Sequence, residues 1–184
     1  MSDREILFRA REDADAFRHL FDRHFDAVWN YLRRRVGHDV ADELASEVFL
    51  TAFRTRHRYQ PIGDSALPWL YGIAAKLLAR NYRRETRKLR AYARTGVQRS
   101  EELDIESVLG RIAAHYRGRA VAAALAELRR EDRETLFLSA IVGLTHSEIA
   151  EALGVAEGTI GSRLHRARGR LVAALVTGKE MAVR

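Results

Sequence analysis

Only two prolines occur in 184 residues, Pro61 and Pro68, and both lie in one stretch of eight. Proline is the strongest interruption a helix can meet, at ~3 kcal/mol in a helix interior. The chain on either side of that stretch is therefore free to run as long helices. Gly and β-branched residues, which also disfavour helix, are sparse, so the expected fold class is all-α. The length suits one ordinary domain or two small ones. With no cysteine there can be no disulfide scaffold, thiolate zinc site or Cys nucleophile. No apolar run reaches the ~18 residues needed to span a bilayer. The opening MSDREILFRAREDADAF is charged throughout and does not read as a signal peptide. A cytoplasmic protein with no membrane partner is expected.

Charge is distributed unevenly. The formal net charge is +7. Residues 80–99 hold eight bases (Arg80, Arg83, Arg84, Arg87, Lys88, Arg90, Arg94, Arg99) against one acid, Glu85. The remainder therefore balances to zero. Residues 38–50 are the reverse, with Asp39, Asp42, Glu43 and Glu47 and no Lys or Arg. Adjacent basic and acidic segments suggest two partners, one polyanionic and one basic, although two solvated helix faces would read the same way.

Helical spacing organises the first half into three helices. Phe17, Leu20, Phe21, His24, Val28, Leu32 and Val36 form one stripe, ended by Gly37. A second helix starts near Asp39 with Val40, Leu44, Val48 and Ala52 on its apolar face. Residues 59–68 hold both prolines with Gly63, Asp64 and Ser65, and read as a loop. Pro68 then opens a long helix with Leu70, Ile73, Leu77 and Leu78 inward. Periodicity weakens over 95–118, an acidic, Gly-punctuated linker. Val121, Ala124, Leu125 and Leu128 begin a second domain, followed by Leu136, Phe137, Ala140 and Ile141. The expected divisions are a terminal segment at 1–15, a helical domain at 16–94, the linker, a four-helix domain at 119–178 and a short tail.

Residues 144–171 carry the most specific pattern. Thr145 and Glu148 have capping-box spacing. Ile149, Ala150 and Leu153 face inward, and the small Ala150 permits a close helix crossing. Gly154 makes a tight turn, and Ile160, Leu164, Ala167, Leu171 and Leu175 stripe a second helix. This is a helix-turn-helix. Its outward face presents Ser162, His165 and Arg166, flanked by Thr159 and Arg163, with Glu157 in the first turn. Hydroxyls, imidazole and guanidinium suit base edges and phosphates in a major groove. A solvated αα-hairpin is the plainer alternative.

The order of these parts resembles an extracytoplasmic-function (ECF) RNA polymerase sigma factor over roughly residues 16–94 and 119–176. The strings that carry the resemblance are LFDRHFDAVWNYLRRRVG, ADELASEVFLTAFR, PWLYGIAAKLLARNYRRE and LTHSEIAEALGVAEGTIGSRLHRARGRL. The resemblance implies two helical domains on a flexible linker. It implies binding to core RNA polymerase, through the largest subunit and the flap of the second-largest, and to promoter DNA in double- and single-stranded form. It admits an anti-sigma factor as a further partner. Residues 42–53 match the family's polymerase-binding helix, so Asp39, Asp42, Glu43, Glu47, Val48, Phe49 and Phe53 become candidate docking residues. The residues agree physically, since Asp39, Glu43 and Glu47 stack like charges at i, i+4 and i+8, at ~0.2–0.5 kcal/mol per pair.

The loop at 59–68 and the helix after it resemble the part that recognises and melts the −10 element. Gly63, Asp64 and Ser65 would hold a flipped base, while Lys76, Arg80, Arg83 and Arg84 hold phosphates. Trp69 is open between core packing and stacking on DNA. Glu157, Thr159, Ser162, Arg163, His165 and Arg166 would read the −35 element. Departures from the family pattern are Lys76, where relatives often have Asn, Gly161, where they often have Lys, and Ala156, where Pro or Ser is common.

A stand-alone helix-turn-helix regulator is the competing function. It explains the second half but neither the acidic nor the basic helix of the first. The seven His residues form no H-E-x-x-H motif, and there is no phosphate-cradling Gly loop. No catalytic site, metal or cofactor is expected.

Overall fold

The structure, a computed structural model, describes residues 1–59, 63–95, 124–125 and 127–182. Every regular element among them is helical. The chain divides into two compact units, one of Met1–Thr95 with Glu151–Gly154 and the other of Gly96–Ala150 and Val155–Arg184. The linker expected at 95–118 falls outside the described residues except for Thr95, as does Val121.

The first unit opens with α1, Asp3–Arg9, which the periodicity of the first half does not reveal. A capping box starts it. The Ser2 hydroxyl accepts from the Glu5 amide, and the Glu5 carboxylate accepts from the Ser2 amide. Ile6, Leu7 and Ala10 are buried, so residues 1–15 contribute to the core. A 3₁₀ turn, Ala14–Phe17, is capped by the Asp13 carboxylate and runs directly into α2, Arg18–Val36. Gly37 alone separates α2 from α3, His38–Thr55. Its φ of +82° lies in the left-handed region that favours glycine. After the loop, α4 spans Leu67–Thr95.

Helices α2, α3 and α4 pack around one core. Leu20, Val28 and Leu32 of α2 meet Leu44 and Val48 of α3 and Leu70, Ala74 and Leu78 of α4, all buried. Each large aliphatic side chain removed from water contributes ~1.5–3 kcal/mol. The stripe read from the α2 sequence holds except at Phe21, which is 38% exposed, and at Val36, which is half-buried. His24, on that same stripe, is buried and has a polar partner there.

In the second unit, α5 covers Arg130–Phe137 and continues as a π turn over Leu138–Val142. Gly143, at φ +81°, reverses the chain, and the Leu144 amide donates to the Leu138 carbonyl at 3.0 Å. Then come α6, His146–Leu153, and α7, Glu157–Ala182. Leu125, Leu128, Phe137 and Ala167 form a buried cluster, with Leu136, Ile141 and Leu171 packed against it. Among the described residues, no helix is long and apolar enough to cross a membrane.

Candidate functional site

Three surfaces carry the residues singled out by the sequence. The first is the outer face of α3. Asp39, Asp42 and Glu43 are exposed and Glu47 is half-buried, as helix periodicity demands opposite the Ala41–Leu44–Val48 face. Asp42 is held in place, because the Trp29 indole N–H donates to its carboxylate at 2.5 Å. The His38 ring lies 3.4 Å from the same carboxylate. Glu47 sits 3.4 Å from the Arg80 guanidinium, an exposed pair that relieves part of the acidic crowding within the unit.

The apolar candidates on this helix divide. Val48 and Phe49 are buried in the core, whereas Phe53 is half-buried against Phe17 at 5.3 Å. What faces out instead is Leu50, 46% exposed, and Phe21, whose ring contacts Phe25 and Phe49 at 4.9 Å each. Sequence reasoning missed both. Leu50 lies off the inner stripe of α3, so its exposure was readable there. Phe21 fits the inner stripe of α2 and gave no such sign.

The second surface is the loop and the start of α4. Gly63 and Asp64 are exposed, and Ser65 is half-buried with its hydroxyl accepting from the Leu67 amide at 3.2 Å. Residues 60–62 lie outside the described residues. Trp69 stacks face to face on Tyr59, ring centroids 4.1 Å apart with 2° between planes, and is half-buried. Tyr71 is core, 5.0 Å from Tyr31, and burial pushes its hydroxyl up to about 12 against the opposing effect of Arg34. Lys76, Arg80, Arg83 and Arg84 are all exposed at helical spacing, which makes a basic face on α4.

The carboxylate of Asp3 enters this surface from beneath. It accepts from the Ala66 amide at 2.8 Å, from the His24 ring at 2.6 Å and from the Arg23 guanidinium at 2.5 Å, and Asp3 is 3% exposed. Burial alone would raise its pKa. The Ala66 amide, His24 and Arg23 outweigh burial and hold the carboxyl below its ordinary value.

The third surface is the helix-turn-helix. The capping box forms as its spacing suggests. The Thr145 amide donates to the Glu148 carboxylate at 2.8 Å and the Glu148 amide to the Thr145 hydroxyl at 3.3 Å. Gly154 takes φ +66°, and the Val155 amide donates to the Ala150 carbonyl at 3.1 Å, closing the turn. On α7, Ile160, Leu164 and Ala167 are buried. Glu157, Ser162, His165 and Arg166 are exposed, and Thr159 and Arg163 are half-buried. Ser162 donates its hydroxyl back to the helix, to the Thr159 carbonyl at 3.0 Å.

Arg166 has an internal task that the sequence did not show. Its Nη2 donates to one Asp132 carboxylate oxygen at 2.8 Å and its Nε to the other at 3.3 Å. The Asp132 side chain is 3% exposed while that of Arg166 is 49% exposed. The fork-to-fork pair ties α7 to α5 and engages two of the five guanidinium N–H donors. Arg170 adds a second tie, donating to the Glu127 carbonyl at 3.0 Å. Among the described residues, no group of three or more His, Asp or Glu is placed to hold a metal ion.

Two family models match the chain, Sigma-70 region 2 over residues 20–99 and Sigma-70 region 4 over residues 118–171. The chain is 34% identical to the RNA polymerase sigma factor CarQ of Myxococcus xanthus, over 89% of this chain and 91% of that protein. It is 32% identical to the ECF RNA polymerase sigma factor SigL of Mycobacterium tuberculosis, over 86% of this chain and 88% of that one. Its fold is similar to that of CnrH, solved in complex with the cytosolic domain of CnrY, with a TM-score of 0.65 and 24% identity over 95% of this chain and 97% of that one. It is also similar to the Bartonella quintana sigma factor RpoE, solved with the anti-sigma factor NepR, with a TM-score of 0.59 and 22% identity over 86% of this chain and 96% of that one. With both helical regions matched in order and identity sustained over most of the length, the chain belongs to the ECF family of RNA polymerase sigma factors.

Proposed function

We propose that this chain binds core RNA polymerase through the outer face of α3, directs it to promoters through α7, and helps to melt the −10 element through the loop at 63–65 and the basic face of α4. The carrying observation is the pairing of opposite surfaces within the first unit. Asp39, Asp42 and Glu43 expose acid on α3, while Lys76, Arg80, Arg83 and Arg84 expose base on α4. A DNA-binding regulator has no use for the acidic face, which repels phosphate. Leu50 and Phe21 add an apolar component to it, as a protein interface needs.

Melting requires no bond chemistry from this chain. Extruded bases need a pocket and the freed strand needs a cationic track. Asp64 and Ser65 offer hydrogen-bonding groups at the loop, and the α4 bases offer the track. At −35, Glu157, Thr159, Ser162, Arg163 and His165 read the groove, with Arg166 tying α7 to α5 through Asp132. Polymerisation belongs to the partner enzyme. An anti-sigma factor is proposed as a further partner, since the related RpoE was solved with one.

Run-off transcription with core polymerase on a promoter library, with and without this protein, tests the reading. Protein-dependent transcripts from a defined promoter class are expected. Tight operator binding by the protein alone, with no effect on polymerase, would favour a stand-alone regulator.

A further inference from the structure

The first N–H groups of a helix have no partner within it and must find one elsewhere. At α4 the solution is unusual in its sequence distance. The Ser65 hydroxyl accepts from Leu67, but the Ala66 amide is satisfied by the carboxylate of Asp3, at 2.8 Å. Ala66 is fully buried and its own carbonyl accepts from Leu70 at 3.0 Å, so this amide marks the point where the loop becomes helix. The carboxylate is itself fixed from α2 by His24 and Arg23. Arg23 also donates to the Met1 carbonyl at 2.9 Å. Three segments thus meet at one carboxylate, namely α1, which carries it, α2 and the end of the loop, and Arg23 links the chain start to them.

We propose that Asp3 is a positioning residue for strand opening, holding the loop at 63–65 in the geometry that receives a flipped base. The proposal rests on the assignment of that loop to the −10 element. Asp3 touches no DNA. It acts through Ala66, two residues beyond Asp64, which is too short a tether for the loop to move independently of its anchor. A loop already fixed before DNA arrives spends none of the binding free energy on ordering itself.

The test uses reconstituted holoenzyme on a linear duplex promoter, with Asp3→Asn, Asp64→Ala and the double variant. Holoenzyme formation and closed-complex affinity should stay near wild type for Asp3→Asn. Permanganate-reactive open complexes should fall by about ten-fold, the order expected for loss of a charge-assisted hydrogen bond. A pre-melted bubble template should restore them. The double variant should open no less than Asp64→Ala alone, because both changes disable one pocket. Arg23→Met, at a half-exposed donor, is the gentler variant and should show the same defect in smaller degree if Asp3→Asn does not fold. Normal opening by Asp3→Asn or, where it does not fold, by Arg23→Met, well below the variant's melting temperature, or losses that simply add in the double variant, would overturn the proposal while leaving the loop assignment intact. Normal opening by Asp64→Ala would overturn the loop assignment and this proposal with it.

Discussion

Gly161 offers a change whose two consequences can be measured separately. It lies within α7, one position from the buried Ile160, where an added Cβ would meet nothing within 4 Å. A glycine inside a helix costs ~1 kcal/mol relative to Ala. Gly161→Ala should therefore stabilise the second unit by about that amount, raising its melting temperature by ~4–8 °C in a domain of this size. Gly161→Lys should give nearly the same stabilisation, since Lys ranks close to Ala as a helix former. It should also do something Ala cannot. The family pattern often has Lys here, so the ammonium should reach a phosphate beside the groove. Each phosphate neutralised steepens the dependence of log K on log[salt] by ~0.9, or about 3.5-fold in affinity between 50 and 200 mM salt. Circular dichroism melts of the full chain check the first term. Promoter binding by holoenzyme across a salt series checks the second. Equal salt slopes for the Ala and Lys variants would refute the placement of residue 161 against the backbone. No rise in melting temperature for either would refute the reading of open space around the glycine.

Other outcomes follow from the remaining surfaces. Reversing Glu43 and Glu47 to Lys should abolish association with core polymerase in a pull-down while far-UV dichroism stays unchanged, since neither side chain is in the core. Arg166→Ala should lower the melting temperature of the second unit by stranding the buried Asp132, and Asp132→Asn should recover part of that loss in the double variant, whereas His165→Ala should change promoter preference without affecting stability. Asp3 makes stability depend on acid. Its folded pKa lies below the ordinary 3.8, so its contribution is complete above that pH and is lost as pH falls through the folded value. Asp3→Asn should remove that part of the acid transition in pH-dependent chemical denaturation.

What the sequence made legible is what acts locally. The box of Thr145 and Glu148, the turn at Gly154 and the stripe of Ile160, Leu164 and Ala167 all fall within a few helical turns, and each has a physical cause that acts over three or four residues. The helices α2, α3 and α4 were legible for the same reason. Long-range pairing was not. Arg166 is separated from Asp132 by 34 positions and Asp3 from Ala66 by 63, and no periodicity encodes either match. Helix α1 has a local sign, the box of Ser2 and Glu5, but its two turns are too short to show a periodic stripe.

The exposed face of a helix is therefore an imperfect guide to its working residues. Arg166 projects outward with half its side chain in water, as a base-reading residue should, yet two of its N–H donors point back to a buried acid. Val48 and Phe49 follow Glu47 in sequence, yet both are buried where Glu47 is only half-buried. In both cases the deciding quantity is the state of the neighbour. A carboxylate such as Asp132, 3% exposed, would be costly to leave unpaired, so the guanidinium within reach is committed to it. Glu43 and Asp39 lie in water on the outer face of α3, where no comparable demand holds them inward. The residues available to a partner are those whose commitment to the fold is weakest; under the proposed function these are Asp39, Glu43 and Leu50 for polymerase docking and Glu157, Ser162 and His165 for groove reading.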